Sequence, residues 1–438
     1  MARKLFGTDG VRGVAGVEVT ASLALALGRA AVLHSGIHSP RALVIRDTRE
    51  SGEMLEAALA AGLASAGARV ALGGILPTPA APLLIRDQGF DMAAVISASH
   101  NPYGDNGIKF FGGDGFKLSD ETEREIELHL EEDLGGGDHI GRIAEMPGTA
   151  DHYLAALHAR FADLDLAGLD VVLDCANGAT FVVAPEIFRR LGASVTLLHA
   201  EPDGRNINDG CGSTHIGVLA DAVRAGGHAA GFAFDGDGDR VLAADGDGAI
   251  VDGDELLALA AVHLHAKGRL AGGGIVVTVM TNFGFHTAMA AAGVEVACTS
   301  VGDRYVLAEL RERGWTLGGE QSGHIIDMGF SPTGDGIASA LLALEALGGR
   351  DLRDRDAIAK LPQRLVNVRV RDREALAGAG AVHEAVALEA AALDGRGRVL
   401  VRPSGTEPVV RVMVEAPTEQ ETDAVCARLV AVVKSALG

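Results

Sequence analysis

Cysteine, positive charge and long apolar runs are all in short supply in this chain of 438 residues. The four cysteines, Cys175, Cys211, Cys298 and Cys426, are far apart and form no C-x-x-C pair. That spacing argues against a zinc site or a disulfide framework and suits a reducing cytoplasm. Formal net charge is −21. A chain that acidic repels nucleic acid and anionic membrane, so neither is expected as a partner. The N-terminus has no apolar signal-peptide core. The longest uncharged stretch, Leu270 to Val294, contains Gly272-Gly273-Gly274, Asn282 and His286. It reads as strand, turn and helix rather than as a membrane span. The chain has no Gly-Lys dipeptide, hence no Walker A loop, and no complete G-x-G-x-x-G or G-x-S-x-G.

What remains is an apolar, glycine-rich chain, 48% hydrophobic with 59 Gly and few aromatics. Its length predicts about three domains with ample buried cores. One plan repeats three times: three short apolar strands with helical or loop sequence between. The first copy has Leu43-Val44-Ile45, Val70-Ala71-Leu72 and Ala94-Val95-Ile96; the second Val171-Val172-Leu173, Val195-Thr196-Leu197 and Phe232-Ala233-Phe234; the third Ile275-Val276-Val277, Val296-Ala297 and Thr316-Leu317. Strands alternating with helical patterns predict α/β domains with mixed, largely parallel sheets. After Leu361-Pro362 the pattern changes to a smaller C-terminal α+β domain. The expected division is 1–150, 151–252, 253–362 and 363–438.

Each third strand runs into an unusual loop, and ligands in α/β sheets bind beyond the carboxyl ends of strands. Three such ends could therefore face a central cleft. The richest loop is Asp235-Gly236-Asp237-Gly238-Asp239-Arg240. On an extended backbone, carboxylates two apart share a face and can converge on one hard cation such as Mg²⁺. An EF-hand fails, because its sixth and twelfth places hold Arg240 and Gly246. A phosphatase with Asp235 as nucleophile stays open. Asp245-Gly246-Asp247-Gly248, just downstream, reads as an ordinary surface turn.

Ser97-Ala98-Ser99-His100-Asn101-Pro102 places Ser99 at a strand end. Strand alternation would point His100 away from it, which makes His100 a poor base for Ser99. In the third loop, Glu320, Ser322 and His324 alternate on what reads as extended chain, suited to sugar hydroxyls. Lys109 lies in the apolar run Gly107 to Phe111; it either snorkels to solvent or, in a cleft, has a lowered pKa and moves protons. Arg402-Pro403-Ser404-Gly405-Thr406-Glu407-Pro408, with Arg411, offers hydroxyls, freed N–H groups and two guanidiniums to a phosphate. Phe6 to Gly13 is dense in turn formers, and Arg12 there could reach a phosphate.

These four motifs, in this order over nearly the whole chain, resemble the α-D-phosphohexomutase superfamily. Gln321 and the opening Phe6 to Gly13 look most like its bacterial members that act on glucosamine phosphates. The resemblance implies that Ser99 carries a phosphoryl group. It implies that Asp235, Asp237 and Asp239 hold one Mg²⁺ per chain together with an oxygen on phosphorylated Ser99. Glu320 and Ser322 would read sugar hydroxyls, and Arg402, Ser404, Gly405, Thr406 and Arg411 would bind the phosphate not being transferred. Lys109 and His324 would be acid–base groups, with His100 also in the catalytic set. Arg12, Arg240 and Arg304 would supply positive charge or substrate contacts. The implied partners are a phosphosugar substrate and a sugar bisphosphate intermediate, in the cytoplasm, with a homodimer left open. Gly302-Asp303-Arg304 stands where glucose and mannose members often carry Gly-His, which again favours the glucosamine branch. The alternatives are a glucose or mannose mutase of the same superfamily, the Asp235 phosphatase and a non-catalytic phosphosugar sensor.

Overall fold

The computed structural model describes residues 5–7, 9–130, 140–404 and 408–438. Contacts divide the chain into two compact units: Met1–Val279 with Val294–Arg355, and Met280–Gly293 with Asp356–Gly438.

The first unit carries three mixed sheets. In the first, the strand order is Val11–Val14, Asp105–Gly112, Met92–Ile96, Arg41–Arg46, Arg69–Ile75, Arg142–Glu145. The last four are mutually parallel, and the first two are antiparallel additions. The second runs Ile250–Val251, Val241–Asp245, Ala230–Phe234, Asp170–Asp174, Ser194–Leu198. The third runs Glu295–Thr299, Gly274–Thr278, Leu317–Gly319, Ile325–Asp327. All nine short apolar runs of the threefold plan fall in or overlap these strands.

Met92–Ile96, Ala230–Phe234 and Leu317–Gly319 are buried at every residue. A strand covered on both faces reads as an unbroken apolar or small-residue run. Each is followed by an antiparallel return strand, so the connecting loop is short and held at both ends. That is how the sequence fixes three chemically unusual loops at strand ends. The opening segment departs from expectation: beyond its turn formers, Val11–Val14 is an edge strand paired to Asp105–Ile108. Antiparallel pairing gains backbone hydrogen bonds that a turn would leave to water.

The second unit is an antiparallel sheet, Gln363–Arg369, Val409–Glu415, Arg398–Pro403, with helices Gly380–Leu393 and Glu419–Leu437. Helix Phe283–Ala291 groups with this unit, and a buried carboxylate is among the contacts that hold it there. Glu415 accepts from Phe283 N at 3.0 Å, Arg398 Nε at 2.6 Å and Gln363 Nε2 at 2.8 Å. An acid at a helix N-terminus satisfies an orphan N–H and opposes the positive end of the dipole. Among the described residues no helix is long and apolar enough to cross a membrane.

Candidate active site

Ser99 lies three residues past the buried strand Met92–Ile96 and has φ +51°. It is buried, and its Oγ donates to Asp235 Oδ2 at 2.6 Å. Two of the motif segments, 136 residues apart, thus meet atom to atom. The turn is held from below by a fully buried guanidinium. Arg49 donates to the carbonyls of Ser99, Asn101 and Asp105 at 2.9, 2.8 and 2.9 Å, and also to that of Pro102. Asp47 pairs with Arg49 at 2.9 Å and accepts from Ser97 Oγ at 2.6 Å. Asn208 Nδ2 adds a second donor to the Ser99 carbonyl at 2.8 Å. Arg49 and Asn208 escaped the sequence reading. The available signal was that Asp47-Thr48-Arg49 follows the carboxyl end of strand Arg41–Arg46.

His100 corrects an expectation. Its Nδ1 is 3.4 Å from Ser99 Oγ. Strand alternation does not apply, because the left-handed backbone at Ser99 turns the chain and brings adjacent side chains together. Burial, with the charges of Arg240 and Arg12, pushes the His100 pKa down. His100 is therefore a neutral imidazole beside the hydroxyl.

The three aspartates do converge: a carboxylate oxygen from each lies within 4.8 Å of the others. The route differs from the expected extended chain. Gly238 N donates back to the Asp235 carbonyl at 3.1 Å, and Gly238 has φ +71°. The loop is a tight turn, and that φ favours glycine. Gly236 is needed for a different reason: a Cβ there would lie 2.6 Å from the Ser99 carbonyl oxygen.

The residues fit a hard divalent cation. Asp237 Oδ1 and Asp239 Oδ1 are buried and make no hydrogen bond. A buried anionic oxygen left without a donor is costly, and a cation is the partner that removes the cost. Burial and the charges of Asp239 and Asp237 push Asp235 well above the usual carboxylate range. A divalent ion would reverse that penalty. The all-oxygen donor set suits Mg²⁺.

Lys109 also departs from expectation. It is 2% exposed, with Nζ 2.7 Å from Asp237 Oδ2, 3.5 Å from Asp9 Oδ2 and 3.9 Å from Asp239 Oδ2. Burial alone would lower its pKa, but Asp237, Asp9 and Asp239 outweigh burial and raise it. Lys109 neither snorkels nor idles neutral; it is a charged ammonium among carboxylates. Thr78 Oγ1 shares Asp237 Oδ2 at 2.6 Å. Asp9 joins Lys109 to Lys117, which donates to Asp9 Oδ1 at 2.6 Å and also to Asp303 Oδ2. Thr78, Asp9 and Lys117 were not singled out in the sequence.

Glu320, Ser322 and His324 sit on a tight hairpin rather than on extended chain. Gly323 N donates to the Glu320 carbonyl at 3.0 Å, between strands Leu317–Gly319 and Ile325–Asp327. Glu320 Oε1 accepts from Gly302 N at 2.9 Å, while Ser322 is exposed. His324 is buried, its Nδ1 3.6 Å from Asp239 Oδ2. Burial lowers its pKa, but Asp239 and Asp303 raise it further, so the net shift is upward. Gly334 N–H aims at Nε2 at 3.2 Å, which opposes a proton on that nitrogen and leaves Nδ1 the protonated side. Arg12 pairs with Asp9, Arg240 lies 3.8 Å from Asp239, and Arg304 pairs with Asp120 at 2.8 Å. Seen this way, Ser99, Lys109, His100, His324, Arg12, Arg240 and the three aspartates form one network of contacts; Glu320 and Arg304 border it.

In the second unit, Arg402 and Arg411 are directly paired across antiparallel strands. Like charges opposite each other are destabilising, so such a pair invites an anion. Burial and the Arg411 charge lower the Arg402 pKa. Arg411 Nη2 reaches Ser404 Oγ at 3.5 Å, and Arg373, unnoticed in the sequence, donates to the Ser404 carbonyl at 2.8 Å. Gly405 and Thr406 lie outside the described residues.

Comparison with known proteins resolves four successive domains along the chain. Family models of phosphoglucomutase/phosphomannomutase match in succession: α/β/α domain I at residues 3–134, domain II at 151–248, domain III at 252–365 and the C-terminal domain at 365–432. The chain is 52% identical to a phosphoglucosamine mutase of Moorella thermoacetica, covering 97% of this chain and 98% of that one. It is 53% identical to a phosphoglucosamine mutase of Desulforudis audaxviator, covering 98% and 97%. A crystal structure of a phosphoglucomutase/phosphomannomutase family protein from Burkholderia thailandensis superposes with a TM-score of 0.83 at 25% identity, over 99% and 97% of the two chains. Four domain matches in sequence order and half-identical relatives of full length leave one assignment: the chain belongs to the phosphoglucomutase/phosphomannomutase family.

Proposed function

We propose that this chain is a phosphoglucosamine mutase. It interconverts glucosamine 6-phosphate and glucosamine 1-phosphate through phosphorylated Ser99 and a sugar bisphosphate, and feeds UDP-N-acetylglucosamine synthesis in the cytoplasm. The observation that carries this reading is the identity of 52% and 53% to phosphoglucosamine mutases over nearly the whole chain.

Phosphoryl transfer needs positioning and charge neutralisation more than covalent rearrangement. Asp235, Asp237 and Asp239 would hold Mg²⁺, which supplies Lewis-acid charge at the transferring phosphoryl. Arg49 and Asn208 fix the Ser99 turn, so the nucleophile does not pay to be oriented in each cycle. In the forward half-reaction the P–O bond to Ser99 breaks as a sugar hydroxyl oxygen bonds to phosphorus. Charged Lys109 supplies a proton or positive charge where the Ser99 oxygen is released. The sugar hydroxyl gives its proton to whichever of Lys109 and His324 is unprotonated. When the serine is rephosphorylated both transfers run in reverse: the Ser99 proton returns to Lys109 by way of neutral His100, and the released sugar oxygen recovers a proton from the group that took it. Arg12 and Arg240 offset phosphate charge, with Arg304 in a supporting substrate contact. Glu320 and Ser322 read the sugar, and the loop of Arg402, Ser404, Gly405, Thr406 and Arg411 anchors the phosphate that stays. The bisphosphate must bind in both orientations, which suits an anchor built only for phosphate.

The test is ³¹P NMR of glucosamine 6-phosphate with the chain, Mg²⁺ and a trace of sugar bisphosphate. The 1-phosphate resonance should grow at the expense of the 6-phosphate, and mass mapping should find the enzyme-bound phosphate on Ser99. Release of inorganic phosphate instead would make the chain a phosphatase, and faster turnover of glucose or mannose phosphates would move it to another branch of the family.

A further inference from the structure

We propose that Asp174, His199 and Cys211 form a second metal site, for a borderline ion of the zinc class, on the loops that brace the Ser99 turn. The first two ligands follow from topology. Strands Asp170–Asp174 and Ser194–Leu198 are parallel neighbours, with Asp174 opposite Leu198. Their carboxyl ends therefore place Asp174 and His199 side by side. The chain returns through residues 201–212, and Gly212 N donates to Asp174 Oδ2 at 3.0 Å. That contact brings Cys211 to the same point. One ligand atom from each residue lies within 4.8 Å of the others. Around a tetrahedral ion with bonds of about 2.0–2.3 Å, ligand atoms stand roughly 3.3–3.8 Å apart. His199 Nδ1 and Asp174 Oδ2, 3.0 Å apart, already stand near that spacing.

A second observation concerns His199 Nδ1. It lies 3.0 Å from Asp174 Oδ2 and is shielded from solvent, yet it makes no hydrogen bond. Two donor atoms this close with no hydrogen bond between them can both turn toward one ion. Asp174 and Cys211 are fully buried, and the His199 side chain keeps 31% exposure, which gives an ion a way in. The donor set, one carboxylate oxygen, one imidazole nitrogen and one sulfur, selects a softer ion than the all-oxygen Asp235 loop does. The wide cysteine spacing argues against a zinc site, and the site departs from that expectation because a single thiol leaves no spacing signature.

The site would act on the loop that holds the nucleophile. Asn208, three residues before Cys211, donates to the Ser99 carbonyl and through its N to the Ala176 carbonyl at 2.9 Å. An ion tying Cys211 to Asp174 would pin that segment at its base.

Co²⁺ titration of the full chain tests this without reference to turnover. A thiolate bound to Co²⁺ absorbs in the near ultraviolet by charge transfer, whereas Co²⁺ at the Asp235 loop has no sulfur and is silent there. The band should saturate at one equivalent, vanish on adding Zn²⁺, persist in Asp237→Asn and disappear in Cys211→Ser. His199→Gln, at a partly exposed position that should fold normally, should weaken Zn²⁺ binding by about tenfold or more in competition with a chelator. Absence of the band in the unaltered chain, its persistence in Cys211→Ser, or undiminished Zn²⁺ affinity in His199→Gln would each overturn the proposal.

Discussion

The chain writes Asp-Gly-Asp-Gly twice, at Asp235 and at Asp245, and the two copies behave differently. In the first, Asp237 and Asp239 are buried with an oxygen each left without a donor. In the second, every buried acceptor is used. Asp245 Oδ1 accepts from Asp247 N at 3.1 Å and Ala249 N at 2.9 Å, and Oδ2 takes Arg355 at 2.6 Å. Asp247 has a side chain 73% exposed beside Arg353. The same four residues belong to a candidate cation site in one place, where Asp239 follows them, and make a self-satisfied hairpin turn in the other. What separates them is whether the surrounding chain supplies donors. Buried oxygens without donors are a cost that a cation relieves, and filled ones leave a cation nothing to bind.

Breaking that comparison is simplest by making the same change in both loops. Asp237→Asn should lower kcat by about a hundredfold or more, because the ion proposed to neutralise the transferring phosphoryl would lose an anionic ligand. It should also raise the Mg²⁺ concentration needed for half activity. Asp247→Asn, in the copy with an exposed carboxylate, should change kcat by less than about twofold. Steady-state rates over a Mg²⁺ titration decide it, and equal losses in both variants would erase the distinction drawn here.

The sequence made one half of this contrast legible and not the other. Strand ends are readable because buried parallel strands are apolar runs, so Ser99, the Asp235 loop and the Glu320 hairpin could be located. A third Asp and an apolar strand in front separated the Asp235 loop from its twin. Donor supply was not readable. The groups that fill or orient the site come from far along the chain: Arg49 lies 50 residues from Ser99, and Lys117 lies 186 from Asp303. The direction of the Lys109 shift failed for the same cause. A lysine in an apolar strand looks desolvated until three carboxylates from other segments arrive. His100 failed for a local cause, since one left-handed residue cancels the alternation on which the expectation rested.

Asp335 sharpens the comparison with a third outcome for a buried carboxylate. It accepts from Tyr153 OH at 3.0 Å and from Ala338 N at 2.9 Å, capping helix Gly336–Leu347. It has donors, but burial outweighs them and pushes its pKa up to about 6. An unfolded Asp titrates near 3.9, so the native state binds the proton more tightly. The stabilisation is complete below about pH 4 and is lost as pH rises through about 6. The full effect is about 3 kcal/mol at most, from roughly two pKa units. Asp335→Asn keeps a carbonyl oxygen for the cap and removes the titration. Unfolding midpoints at pH 4 to 7 should show the wild type losing ground to the variant across that window. A difference that is flat with pH would show that Asp335 does not carry the shift.

The smallest expected effect lies in the twin loop itself. Asp245→Asn keeps an oxygen for the N–H groups of Asp247 and Ala249 but removes the negative charge facing Arg355. That guanidinium is partly buried and retains Glu255 at 2.7 Å, so it is not stranded. The loss should be about 1–2 kcal/mol, the range for a charge-assisted hydrogen bond with a remaining partner. It should appear in thermal or denaturant unfolding, while kcat and the Mg²⁺ requirement stay near wild type. This pairs with Asp237→Asn as its mirror: on the proposed function one loop holds its carboxylates for a cation, and the other uses them to hold the hairpin Val241–Val251 closed. If Asp245→Asn instead lowered Mg²⁺ affinity with stability unchanged, the twin loop would be part of the metal site, and filled carboxylate oxygens would not bar a cation.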